Sequence, residues 1–467
     1  MSGFSTLNTA VTGLAAAQRA LDIAGQNIVN ANTPGYSRQR VNLVSAGGAT
    51  SATFFTGTGA NFGGVSVDGL TRIRDSFLEA TRATAGAKQS ALTAQTDAAS
   101  SAQTLLSEPG DTGLQSALDG FYSAWQDLAT SPTNTSNGSV VIQKGQQVAS
   151  QLQYIGDGLA AQWNNGHANL VNVVAQANQS ASDLAALNSQ IAAGTVAGRP
   201  VNELIDKRDQ LVRTLGELVG GSGVPGPDNT VSVTVNGMSL VSGTTSATFT
   251  LTGGQDINTA TGQPPTIMSG SLSVPVESGS AAGLLAALRT DLPNLNTGVN
   301  AVATGLRDAV NAVFSTGFTL TGTPGGQFFA GTSATSLSVV PTDPSQLAIA
   351  KSAGAADGSI AAAIGDLSID ANASAALGGS ESPSQRWRDL TVGLGVKVQS
   401  LQNATKVQNS VVAAADDAVQ SNAGVSLDEE MTNLLLFQRS FQASSRVITT
   451  VDEMMDTLVN RTGTVGR

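Results

Sequence analysis

Large apolar residues return every seven positions at both ends of the chain. Near the start these are Leu7, Leu14, Leu21 and Ile28, each followed three residues later by a small one, Ala10, Ala17, Ala24 and Ala31. That alternation predicts a helix with a heptad seam, whose alanines let a partner helix come close. Asn27, Asn30 and Asn32 weaken the last turn, because Asn competes for backbone hydrogen bonds. Thr33-Pro34-Gly35 then ends the helix: Pro34 lacks an N–H and drives Thr33 toward extended geometry. Tyr36, Arg38 and the alternating Val41 and Leu43 follow as an extended arm. Near the other end Leu427, Leu434, Phe441, Ile448 and Met455 repeat at sevens, with Phe437, Ser444, Val451 and Leu458 three positions after. Ser426 is placed to cap this second helix, with Glu429 closing a capping box. The two stripes are read either as partners within one chain or as an interface between copies.

Between the ends the pattern stays helical as far as residue 220. The Ala- and Gln-rich stretch 66–107 predicts one long helix. After the turn "SEPGDTG", Leu114, Leu118, Phe121, Trp125 and Leu128 predict another, and a third covers 139–193. The charged segment 199–219 carries Leu204, Leu211, Leu215 and Leu218 on its apolar face. Asp206, Lys207, Arg208 and Asp209 are expected to form a solvated, salt-bridged surface beside it, with Arg208 or Asp209 positioning a loop as the alternative. At 221 the pattern changes: Val231, Val233 and Val235 alternate ahead of Asn236-Gly237, a hairpin signal. Helix returns at 280–314, with a break expected at Pro293. Phe328 and Phe329 are expected to pin the next, extended stretch to a core, and 384–420 reads as helix, with Val392 to Val398 open to a strand reading.

The fold class is therefore mainly α with β-rich inserts: an elongated multi-domain rod of long helices from both chain ends, with inserted outer domains. Residues 1–62 and 421–467 are expected to form a terminal coiled-coil domain. Residues 63–220, 280–315 and 384–420 form a helical rod, with a β-rich insert at 221–279 and a mixed one at 316–383.

Composition narrows the function. Charged residues are 12% and the formal charge is −11, with no basic run to neutralise phosphates, so nucleic acid is not an expected partner. There is no Cys and one His, His167, which excludes disulfides, thiolate metal sites and His clusters within one chain. No phosphate-cradling glycine motif is present, and the adjacent acids Asp416-Asp417 and Glu429-Glu430 do not face one another on a helix. No catalytic residue, cofactor or metal is expected. Trp125, Trp163 and Trp387 are read as packing residues. The start has no basic region ahead of a compact apolar block, and no 18-residue apolar run occurs, so neither a cleaved signal peptide nor a membrane span is expected.

The segment "SGFSTLNTAVTGLAAAQRALDIAGQNIVNANTPGYSRQRVNL" resembles the start of the flagellar axial proteins, the family of rod, hook, junction and filament subunits. The C-terminal "GVSLDEEMTNLLLFQRSFQASSRVITTVDEMMDTLVN" is similar to their other end, and "YSRQRV" looks like the junction type. Internal stretches such as "SEPGDTGLQSALDGFYSAWQDLATSP" add to the likeness. "SPTNTSNGSVV" departs from it by lacking an expected arginine, and the C-terminal stretch fits a hook protein as well. The resemblance implies a structural, non-catalytic subunit of the hook–filament junction, exported unfolded through the flagellar type III apparatus and placed outside the cell. Implied partners are copies of itself, the hook protein, the third hook-associated protein and an export chaperone. The terminal stripes would then be assembly seams, without a partner in the lone chain, and Tyr36 to Leu43 would lie against a neighbour. The rival readings are another axial protein, such as the hook protein, and a secreted adhesin-like binding module.

Overall fold

The computed structural model describes residues 3–33, 35–46, 63–108, 110–368 and 381–461. Helix α1 (Gly3–Val29) runs without a breaker up to the Asn-rich corner. The arm is a two-stranded antiparallel ribbon of β1 (Gln39–Ser45) and β2 (Val65–Arg72), running from Gln39 opposite Arg72 to Ser45 opposite Val65 with a bulge at Asn42/Leu43. The strand β2 corrects the expectation of one helix over 66–107. Val65 and Val67 suit a pleated surface, and Gly69, at φ +152°, fits the bulge. Helix α2 (Ser76–Leu106) starts where Asp75 accepts from the N–H groups of Phe77 (2.8 Å) and Leu78 (3.2 Å).

Helices α3 (Leu114–Thr130) and α4 (Thr135–Val196) pack side by side. At 62 residues, α4 is about 90 Å long and forms the spine of the body. Helix α5 (Asn202–Val219) lies on it and ends at Gly220, which takes φ +71°. Seven short strands follow in two antiparallel sheets: β3 (Ser222–Pro225), β4 (Val231–Val235), β5 (Met238–Ser242) and β6 (Thr245–Ser246), then β7 (Phe249–Thr252), β8 (Thr266–Ser269) and β9 (Leu272–Ser273). The β4–β5 turn is Asn236-Gly237, both at positive φ, and Val231, Val233 and Val235 face inward.

Chain direction returns to helix in α6 (Ser280–Ala286) and α7 (Leu292–Phe314), joined through a π-helical turn at Ala287–Asp291. Proline explains the join. In a regular helix the Leu288 carbonyl would accept from the Leu292 N–H, but that N–H reaches back to Ala287, and Pro293 has none to offer. The indole N–H of buried Trp163 donates to the Leu288 carbonyl at 3.0 Å. His167 stacks on the same indole at the core edge, 5.2 Å between ring centroids.

The next segment carries β10 (Phe329–Ala330), β11 (Ser338–Val339) and α8 (Ser359–Asp366). Phe328 and Phe329 are buried against Phe121, and Phe328 also meets Trp125 and Phe314. Asn311 fixes both backbones: its Oδ1 accepts from their N–H groups at 2.8 and 2.9 Å. Helix α9 (Pro383–Ala423) is continuous, so the strand reading of Val392–Val398 fails. Val398 is buried while Val392 and Val396 point outward, as helical spacing requires. It packs along α2, where the Gln408 amide donates to the Ala85 carbonyl at 3.0 Å. Helix α10 (Leu427–Asp456) runs into a π turn at Thr457–Arg461.

Candidate assembly site at the paired chain ends

The first and last helices pair with one another. Asn27, near the end of α1, meets Glu430 at the start of α10, and Gly13 meets Ser444, so the two run antiparallel. The stripes expected to lack a partner in the lone chain are thus each other's partner. Contact is closest along a small-residue face of α1. Ala10, Ala17, Ala20 and Ala24 are buried with Ala16 and Ile23, and a Cβ placed on Gly13 would sit 3.2 Å from Ser444 Oγ. Leu7, Leu14, Leu21 and Ile28 flank this face, half-buried. From α10, Leu434, Phe437, Phe441, Ile448 and Met455 lie half-buried and Val451 is buried. Leu427 and Leu458 remain exposed.

A second apolar stripe stays uncovered. Leu436, Val447 and Met454 are exposed, and with Ser440, Ala443 and Thr450 they follow alternating steps of four and three. That is another heptad face, free of charge and turned away from α1. Met431 and Leu435 on α10, and Val11 and Val29 on α1, are exposed as well. Singly exposed apolar residues are ordinary; a run at helical spacing on a paired helix is not.

The corner after α1 ties the pair together at one end. Asn27 does not weaken its turn. It is 1% exposed and makes four hydrogen bonds. Its Nδ2 donates to the Gln39 carbonyl (2.9 Å) and Glu430 Oε2 (3.0 Å). Its Oδ1 accepts from the Tyr36 hydroxyl (2.8 Å) and the Gln39 N–H (3.0 Å). Arg38 donates through Nε to Glu430 Oε1 at 2.8 Å and through Nη1 to Glu429 at 2.8 Å. Glu429 thus turns to Arg38 instead of closing a capping box, while Ser426 Oγ accepts from its N–H at 3.4 Å. Thr33 is exposed and donates to Asn30 Oδ1 at 3.2 Å, and Gly35 takes φ +81°; Pro34 lies outside the described residues. Burial, with Asp206 and Glu430 nearby, pushes the Tyr36 phenol up to about 12, which keeps it neutral and able to donate.

The arm is anchored to the body at α5. Arg72 pairs with Asp206 at 2.5 Å and with Asp209 at 3.1 Å, and Arg74 also pairs with Asp209. Arg208 is buried, holds Asp209 at 2.6 Å and donates to the Asn229 carbonyl. The solvated part of that reading holds for exposed Lys207 and is corrected for the other three: Asp206 and Asp209 hold the arm, and Arg208 positions the loop ahead of β4, as the alternative had it. Burial raises the Asp206 pKa even with Arg72 beside it. Tyr36 to Leu43, expected against a neighbour, contacts this chain's own α1, α10 and β2.

Sequence reasoning missed Asn27, Gln39 and Glu430 as a unit. A signal existed: Glu430, Phe437, Ser444 and Val451 are seven apart, so a carboxylate occupies a seam position. Among the described residues no helix is long and apolar enough to cross a membrane, and no cluster of His, Cys, Asp and Glu could hold a metal. A cavity of about 520 Å³ between α2, α5 and β3 is lined by Arg74, Arg82 and Arg208, all ion-paired, and by Arg213, with no nucleophile–base pair beside them.

What the geometry defines is a helical body with its two chain ends joined in an apolar-faced helix pair, the build of a structural subunit. Comparison with known proteins agrees along the chain. The family model for the flagellar hook-associated protein FlgK helical domain matches residues 99–329. Those for the flagellar basal body rod FlgEFG protein C-terminal region and the flagella basal body rod protein match 401–461 and 7–36. The chain is 29% identical to flagellar hook-associated protein 1 of Bacillus subtilis, covering 100% of both chains. It is 25% identical to that of Escherichia coli, over 98% of this chain and 99% of the relative. Its fold is similar to the solved flagellar hook junction protein FlgK from Burkholderia pseudomallei, with a TM-score of 0.65 and 15% identity over 74% of this chain and 100% of that one. The chain is a flagellar axial structural subunit, similar along its whole length to hook-associated protein 1 (FlgK).

Proposed function

We propose that this axial subunit forms the junction between hook and filament: a ring of copies on the distal end of the hook, on which the third hook-associated protein and then flagellin are added. The observation that carries the reading is the uncharged stripe Leu436–Val447–Met454, left open on a helix already paired through its other face. A second copy, or the end of another axial protein, offers the matching surface. Burial there is worth roughly 25 cal/mol per Å² of apolar area, and closed stacking multiplies it around a ring. The full-length likeness to hook-associated protein 1 supports the junction over the hook itself. In this reading residues 1–62 and 421–467 are the assembly domain. Leu7, Leu14, Leu21, Phe437, Phe441 and the other seam residues hold it together, and the 221–279 and 316–383 inserts lie outward. Export proceeds unfolded through the flagellar type III apparatus, with a chaperone holding the chain beforehand.

Electron microscopy of cells lacking the gene tests this. The junction reading expects complete hooks without filaments, with flagellin shed into the medium. Cells with no hooks would assign the chain to the hook, and normal filaments would end the axial reading of its role.

A further inference from the structure

The seam between α1 and α10 is one-sided, and that raises the question of what sets its register. On α1 the contact face is Ala10, Gly13, Ala17, Ala20 and Ala24, all small, at alternating steps of three and four. On α10 the facing residues other than Ser444 are large. A face of repeated small residues meets large side chains in much the same way after a shift of one heptad, since Ala10, Ala17 and Ala24 then replace one another. Chain connection does not forbid such a shift. The nine residues 30–38 between α1 and β1 reach about 30 Å when extended, and one heptad along a helix is about 10 Å. Buried Ile23 and the close Gly13–Ser444 approach also change with such a shift, but the polar group Asn27–Glu430 is the feature that distinguishes the registers most sharply.

We propose that Asn27 and Glu430, gripped by Arg38 and Tyr36, are positioning residues that select the register of the two terminal helices. In the observed register Asn27 has all four hydrogen-bonding positions filled, and Glu430, 3% exposed, accepts from Asn27 and Arg38. Moving α10 one heptad in one direction brings Phe437 against Asn27 and carries Glu430 past the end of α1. Moving it the other way buries Glu430 against Ala20. Either shift strands Asn27 or Glu430 without partners, a penalty far larger than any change in the alanine packing. A buried polar pair that adds little net stability but strongly disfavours alternatives is the device that fixes register in coiled coils. Here the register also decides which face of α10 is presented outward. The inference rests on the helix pair itself and stands whether or not the junction reading holds.

The Cys-free chain gives a direct test by disulfide trapping in the full-length monomer. Gly13→Cys with Ser444→Cys reports the observed register; Ala20→Cys with Ser444→Cys and Gly13→Cys with Phe437→Cys report the two shifted ones. With the polar group intact, the first pair should close and the other two should stay reduced. In the Asn27→Leu/Glu430→Leu background a shifted pair should close, the ratio of observed to shifted product falling by roughly a hundredfold. Terminal helicity by circular dichroism checks that the background folds. If it does not, the same pairs are read in Asn27→Ala/Glu430→Ala, whose alanines favour helix. Exclusive closure of the first pair in a folded background without the polar group overturns the proposal, as does closure of a shifted pair with the group intact.

Discussion

Two glycines on α1 show how differently neighbouring positions on one helix behave. Gly13 faces Ser444 so closely that any larger side chain must push α10 away. Gly25, twelve positions on, has nothing within 4 Å of where a Cβ would sit. Gly13→Leu should therefore weaken the terminal pair by about 1–3 kcal/mol through overpacking. Gly25→Ala should strengthen it by about 0.5–1 kcal/mol through helix propensity alone. Hydrogen exchange across residues 3–29 reads both: protection falls in the first and rises in the second. Both glycines are equally plain in the sequence, and their difference is not, because it depends on a partner more than 400 positions away. Asn27 makes the same point. Read locally it loosens a helix end; placed between Gln39, Tyr36 and Glu430 it is the most fully bonded side chain of the corner.

At the level of elements, the heptad stripes were legible because period and length agree over four turns or more. The same holds for α3, α4 and the Asn236-Gly237 hairpin, whose turn chemistry is local. The segment 65–72 was not legible as a strand. Its Ala- and Ser-rich continuation into α2 carries the helical period, and its strand character comes from pairing with β1 across an insertion. The charges of α5 were misjudged for a related reason: Asp206 and Asp209 find Arg72 and Arg74 on an element distant in sequence. An irregularity near Pro293 was legible, but the helix passes it with a π turn instead of the expected break, and its repair by Trp163 was not legible. Trp163→Phe keeps the ring and removes the donor to the Leu288 carbonyl, leaving a buried acceptor open. A loss of about 1–3 kcal/mol is expected, seen as a lower denaturant midpoint of the body, with local exchange rising first at 286–292.

Across the whole molecule, the α4 spine and the α2–α9 pair carry the body, while α1, α10 and the ribbon form one end held by hydrogen bonds and ion pairs. The sequence reading placed the assembly seams on the terminal stripes and treated them as unpartnered. The structure divides that role. The inner stripes satisfy each other, and the outer stripe of α10 stays exposed. The central claim is that this outer face is covered in the flagellum and open in the free chain. Single cysteines at Leu436 and Val447, with one at Tyr154 on the exposed side of α4 as a body reference, allow thiol labelling in monomers and in isolated flagella. The account predicts rapid labelling of 436 and 447 in the monomer and loss of that labelling in the assembly, measured against the reference. Equal labelling of the two positions in both states would contradict it.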